Sequence, residues 1–159
     1  MTVEVAYEAP EFDGVYGAHY ASLVRLAYLT TGSLPAAEDV VQEAFIEWWR
    51  RRDHVHAPAA YLRKAVVSRC TSWVRRRALE RRHRDQAAPP AVNTPGADVP
   101  AVRAAVATLS PRQRAAVFLR FYLDLPEAQI AEALGCRPGT VKSLLHRSLL
   151  TLREHLDEH

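Results

Sequence analysis

The sequence predicts an all-α fold of two small helical domains joined by a flexible proline-rich linker, and three observations carry that expectation. Apolar residues recur at three- and four-residue spacings along most of the chain. No stretch alternates apolar and polar residues as a half-buried strand does. Residues 86–100, QAAPPAVNTPGADVP, hold four prolines and a glycine among small residues and have no period at all. The expected division is therefore residues 1–85, a linker over 86–100, and residues 101–159.

The elements follow in order. Phe12, Tyr16, Tyr20, Leu23, Leu26 and Ala27 mark the apolar face of a first helix that should end near Thr31 and Gly32. A second helix opens after Leu34 and Pro35, with Ser33 as its cap and Glu38 and Asp39 near the positive end of its dipole. It continues through Val41, Ala44, Phe45 and Trp48 to Arg50, Arg51 and Arg52. Residues 53–58 break the pattern, and a third helix then sets Tyr61, Leu62, Ala65, Val66, Cys70 and Trp73 on its apolar side. Trp48 and Trp73 read as core residues, and Trp49 as the exposed one of the three tryptophans.

Beyond the linker, residues 109–152 carry the stop and start signals of a helix-turn-helix. Ser110 and Pro111 supply a cap and a first-turn proline for a supporting helix whose stripe is Ala115, Val117, Phe118 and Phe121. The next helix begins near Pro126 and runs through Ile130, Ala131 and Leu134 to Gly135, which can take the left-handed conformation that ends a helix. Residues 136–139 form the turn, and Thr140 is expected to cap a last helix that buries Val141, Leu145, Leu149 and Leu152. Thr140, Ser143, Leu144 and Arg147 then share the outward face, with Lys142 and His146 beside them. Such a helix can enter the major groove of duplex DNA, where Arg147 would meet a guanine or a phosphate and Leu144 a thymine methyl.

Charge divides the chain more sharply than its net +3 suggests. Residues 1–48 hold eight acids and one base, whereas residues 49–86 hold three acids and twelve bases, which points to two different partners. No apolar run reaches membrane-spanning length and no signal-peptide pattern appears at the N-terminus, so membrane insertion is not expected and a cytoplasmic location is. Cys70 and Cys136 lie in different predicted domains without ligand spacing around either, so neither a disulfide framework nor a zinc site is expected. There is also no glycine-rich phosphate loop and no nucleophile–base pair, so the chain reads as a non-enzyme without cofactors.

Together these residues resemble a sigma factor of the extracytoplasmic-function type, the minimal class in the sigma-70 family that keeps only regions 2 and 4. The N-terminal marker is residues 37–45, AEDVVQEAF, and the C-terminal marker is the helix-turn-helix. The resemblance implies a transcription initiation subunit that binds core RNA polymerase and promoter DNA. It implies that Asp39, Gln42 and Glu43 dock on a basic coiled coil of the largest polymerase subunit. It also implies that residues 53–58 and the third helix capture the displaced strand of the −10 element, with His54, His56 and Tyr61 near an extruded base and Arg63, Lys64, Arg69, Arg75, Arg76 and Arg77 along its phosphates. Thr140, Lys142, Ser143, Leu144, His146 and Arg147 fall on the −35-reading helix. An anti-sigma factor is a further partner that the sequence leaves open.

Three positions depart from the family pattern: Ser68 replaces a common asparagine, Gln129 a usual glutamate, and Leu144 an arginine or other polar residue. The alternative is a helix-turn-helix regulator that binds duplex DNA without polymerase. Its response-regulator form carries a similar Leu-Ser-Pro-Arg opening but also a receiver domain with strand–helix alternation, which the N-terminal half here lacks.

Overall fold

Ser33 opens the second helix as its position predicts: from extended backbone its hydroxyl accepts a hydrogen bond from the Ala36 amide at 3.3 Å. The computed structural model describes residues 10–84 and 100–158. Helices α1 (Pro10–Thr31), α2 (Leu34–Arg51) and α3 (Pro58–Arg84) pack pairwise, with one 3-10 turn at Arg52–His54 between the last two. Then come α4 (Pro100–Ala107), α5 (Pro111–Val117), α6 (Glu127–Leu134) and α7 (Pro138–Asp157). No strand occurs among the described residues. Most of the predicted linker lies outside them, and its last residue, Pro100, is the first of α4.

Helix α2 buries Ala37, Val40, Val41, Ala44, Phe45 and Trp48, a stripe at three- and four-residue spacing. It meets Leu23, Leu26 and Ala27 of α1 and Leu62, Val66 and Cys70 of α3. Full burial of a ring such as Phe45 contributes about 2–3 kcal/mol. Trp48 is core, as expected, whereas Trp49 is half-buried, its ring edge-on to Phe12 and the Arg52 guanidinium 4.0 Å above it. Trp73 is also half-buried, with Arg77 over its ring.

The apolar cluster does not stop where the first three helices end. It continues through Ala116, Phe118, Leu119, Ile130 and Val141, because α5 packs on α1 and α3 while α6 lies along α3. The two modules expected from the sequence are thus held against each other. Arg114 makes the polar joint: its Nε donates to Leu29 O at 2.8 Å, Nη2 to Thr30 O at 3.0 Å, and Nη1 to Leu109 O at 2.7 Å. The residue is only 7% exposed and all its acceptors are carbonyls.

Removing this fork leaves those carbonyls without their partner, so Arg114→Ala should cost about 2–3 kcal/mol in urea unfolding of the full chain. Arg114→Lys should recover little of it, because an ammonium cannot reach three carbonyls in the fork geometry. Small-angle scattering should show a larger radius of gyration in Arg114→Ala at wild-type helicity.

Candidate nucleic-acid interface

The helix-turn-helix is assembled from local signals. At the start of α5, Ser110 accepts from the Gln113 amide at 3.2 Å and the Gln113 side chain accepts from the Ser110 amide at 2.9 Å, a complete capping box. The chain then widens into a π turn at Phe118–Tyr122, closed by the Leu123 amide on Phe118 O. This turn corrects the predicted stripe. Ala115, Ala116, Phe118 and Leu119 face inward, and Phe121 is 59% exposed. Helix α6 ends as predicted: Gly135 sits at φ 67°, its amide bonds Glu132 O, and the Cys136 amide bonds Ala131 O.

Helix α7 begins two residues before the predicted cap. Pro138 takes its first position, where a missing amide proton costs nothing, and Arg137 is the flanking residue. Thr140 therefore lies inside the first turn and stays exposed, as do Lys142, Ser143, His146 and Arg147. Leu144 does not belong with them. It is 7% exposed and shares the buried stripe with Val141, Leu145 and Ser148, whose hydroxyl donates to Leu144 O at 2.7 Å. Leu149, expected inside, is 45% exposed. The stripe is turned because α7 packs against α4, α5 and α6 together, which draws in the flank facing Leu144. A thymine contact from Leu144 is excluded by that burial. Of the remaining candidates, Lys142 lies 3.9 Å from Glu127, and Ser143 and Arg147 reach back to backbone carbonyls.

On the first three helices, Asp39, Gln42 and Glu43 are all exposed along one side of α2. His54, His56, Tyr61 and Lys64 line one hollow of about 760 Å³ together with Ser68 and Arg69. Tyr61 is half-buried beside the Glu47 carboxylate; burial, then that acidic neighbour, pushes its pKa up. Arg75, Arg76 and Arg77 are exposed further along α3, outside this hollow. Two of the expected phosphate contacts are not freely exposed. Arg69 is paired with Glu43 and Glu47, and Arg63 is half-buried against α6, near Glu132. Glu132 also forms part of the hollow's wall, a participant from the other half of the chain that no local signal could reveal.

Residues 15–80 match the family model for sigma-70 region 2, and residues 100–152 match that for sigma-70 region 4. The chain belongs to the sigma-70 family. Within that family it is 33% identical to the ECF RNA polymerase sigma factor SigL of Mycobacterium tuberculosis, over 96% of this chain and 93% of that one. It is 32% identical to the RNA polymerase sigma-E factor of Streptomyces avermitilis, over 94% of this chain and 87% of that one. These relatives make it a sigma factor of the extracytoplasmic-function type. The fold resembles that of the sigma factor RpoE from Bartonella quintana, solved in complex with the anti-sigma factor NepR, at a TM-score of 0.79 and 24% identity over 92% of this chain and 97% of that one.

Two outcomes test this geometry. Leu144→Ala should lower stability by about 2–4 kcal/mol, whereas the shape-conserving Leu144→Met should leave base preference at the −35 element unchanged in a binding-site selection. His19 lines a small hollow with Arg63, Leu123 and Leu125, between the two sigma regions. Burial, and then the neighbouring Arg63 charge, lower its pKa. The unfolded chain therefore takes up the proton more readily, and this contribution to stability is lost as pH falls below the ordinary histidine value of about 6.5. The urea midpoint should drop between pH 7.5 and 5.5 by more in the wild type than in His19→Gln.

Proposed function

We propose that this sigma factor binds core RNA polymerase in the cytoplasm and directs initiation at promoters carrying its own −10 and −35 elements, with no chemistry of its own. The observation that carries the reading is that an exposed acidic helix face, a hollow lined by His54, His56, Tyr61 and Lys64, and an exposed helix-turn-helix face stand on one chain matching regions 2 and 4. No helix among the described residues is long and apolar enough to cross a membrane.

In this reading region 2 (residues 1–85) docks through Asp39, Gln42 and Glu43, whose carboxylates and amide suit a basic partner surface. His54, His56 and Tyr61 hold an extruded base of the −10 element, and Arg63, Lys64, Arg69, Arg75, Arg76 and Arg77 follow its phosphates. Region 4 (residues 101–159) presents Thr140, Lys142, Ser143, His146 and Arg147 to the −35 major groove. Residues 86–100, at most about 50 Å when extended, tie the two readers together. An anti-sigma factor is proposed as a further partner, as for the Bartonella sigma factor in its complex.

Transcription in vitro with core polymerase on a genomic promoter library tests the function and identifies both elements. Initiation should depend on the protein and converge on one class of promoter. Replacing Asp39 and Gln42 by alanine together should weaken co-purification with core at unchanged helicity. Tight binding to a palindromic duplex without polymerase, together with failure to associate with core, would instead identify a classical regulator. Arg147→Ala should weaken promoter binding by about 1–3 kcal/mol if the side chain reads a base. An equal loss on every sequence marks a phosphate contact.

A further inference from the structure

Arg69 stands on a ridge between two surfaces that the proposed function keeps apart. On one side is the strand hollow with His54, His56, Tyr61 and Lys64; on the other is a hollow of about 400 Å³ that includes Glu43 and Ile46 of the docking helix. Glu47, Arg51 and Arg69 border both.

The guanidinium of Arg69 is divided between the two sides of its own pair. Nη1 donates to Glu43 at 3.0 Å and Nη2 to Glu47 at 2.7 Å, the two carboxylates lying one turn apart on α2. They are held differently. Glu47 is two-thirds buried and has Tyr61 beside it, and the Arg69 bond is the foremost cause of its lowered pKa. The Glu43 side chain is 60% exposed and has Arg69 as the cation within ion-pair distance. An exposed pair of this kind contributes little and exchanges readily for a better placed partner. The planar fork that spans two carboxylates also suits a phosphate.

We propose that the Arg69–Glu43–Glu47 cluster couples polymerase docking to strand capture by exchange of ion pairs: basic side chains of core polymerase take Glu43, and the half of the Arg69 fork so released takes a phosphate of the displaced promoter strand. The proposal rests on the docking role of Glu43. Glu47, the more buried and the closer of the two partners, keeps the guanidinium on the ridge during the exchange, so Glu43 is the gate and Glu47 the anchor. Strand affinity is then low in the free protein and is raised by the polymerase.

The test uses the full chain, free and as holoenzyme, with glutamine replacements matched to the wild type in thermal melting. Free chain is titrated into fluorescein-labelled 12-nucleotide oligothymidine, since a phosphate contact is independent of sequence. Arg69→Gln should change its affinity less than about twofold, and Glu43→Gln, with Glu47 left in place, should raise it about three- to tenfold. That gain should vanish when Arg69→Gln is added. In holoenzyme at saturating core, on a pre-melted promoter recovered from the transcription assay, Arg69→Gln should weaken binding about three- to tenfold. The same gain in the Arg69→Gln background would reduce the effect to net charge and overturn the exchange. An equal Arg69→Gln loss in free chain and holoenzyme would overturn the coupling. Core affinity of Glu43→Gln, measured separately, decides the docking role: no change there overturns that assignment, whatever the oligothymidine shows.

Discussion

A buried guanidinium with no carboxylate partner joins the two halves of this protein. Helix α1 carries no basic residue in its last turn, so its C-terminal end lacks the cation that the helix dipole favours there. Thr30 and Thr31 turn their hydroxyls back onto Leu26 O and Ala27 O, and Gly32 closes the turn with positive φ. Leu29 O and Thr30 O remain among the orphan carbonyls of the end. Arg114, more than eighty residues away in sequence, supplies both the charge and the donors. The capping box at Ser110 sets where α5 starts and hence where this side chain points. Everything that packs on α5 is placed against α1 by that joint, α7 and its outward face included.

Within the second half, the π turn at Phe118–Tyr122 and the left-handed Gly135 decide which residues are available to a partner. The wider turn carries Phe121 and Tyr122 to the surface, where Arg25 of α1 lies over the Tyr122 ring at 5.5 Å. Asp124 follows at φ 52°, a conformation that aspartate tolerates better than branched residues do. The Gly135 turn lets α7 cross α6 with Val141 and Leu145 inward, leaving Thr140, Ser143 and Arg147 outside.

How much of this was legible in the sequence depends on the range of each signal. Ser33, Ser110, Pro126 and Gly135 act through neighbours a few residues away, and each does what its position predicts. The helices, their order and the helix-turn-helix could therefore be read directly. The facing of Leu144 and Leu149 could not, because both fit a three-and-four spacing and only the placement of three neighbouring helices decides between them. Phe121 turns outward for a related reason: one inserted residue in a helical turn shifts every later position, and apolar periodicity carries no mark of it. The charge blocks correctly separated an acidic from a basic segment. They could not show that Glu43 and Glu47 of one meet Arg69 of the other. Nor could composition distinguish tethered halves from packed ones, since the contact rests on Arg114, Glu132 and a few apolar side chains scattered along the chain.

The character of that contact bears on how such a protein works. In the packed arrangement α6 lies on α3, Glu132 faces the strand hollow, and Arg63 is half-covered, so part of the surface proposed for the −10 strand is occupied by the reader of the −35 element. On the proposed function, serving both elements at once calls for the halves to separate. A joint of carbonyl acceptors suits that requirement better than a buried ion pair. When Arg114 leaves, the carbonyls it abandons are neutral and water can replace the lost donors, whereas a buried carboxylate would be left as an uncompensated charge. The apolar part of the contact is made of pieces that each half also packs against its own core, such as Leu23 on one side and Leu123 and Leu125 on the other. The contact therefore runs along a plane whose parting leaves each half's own caps and helix packing in place.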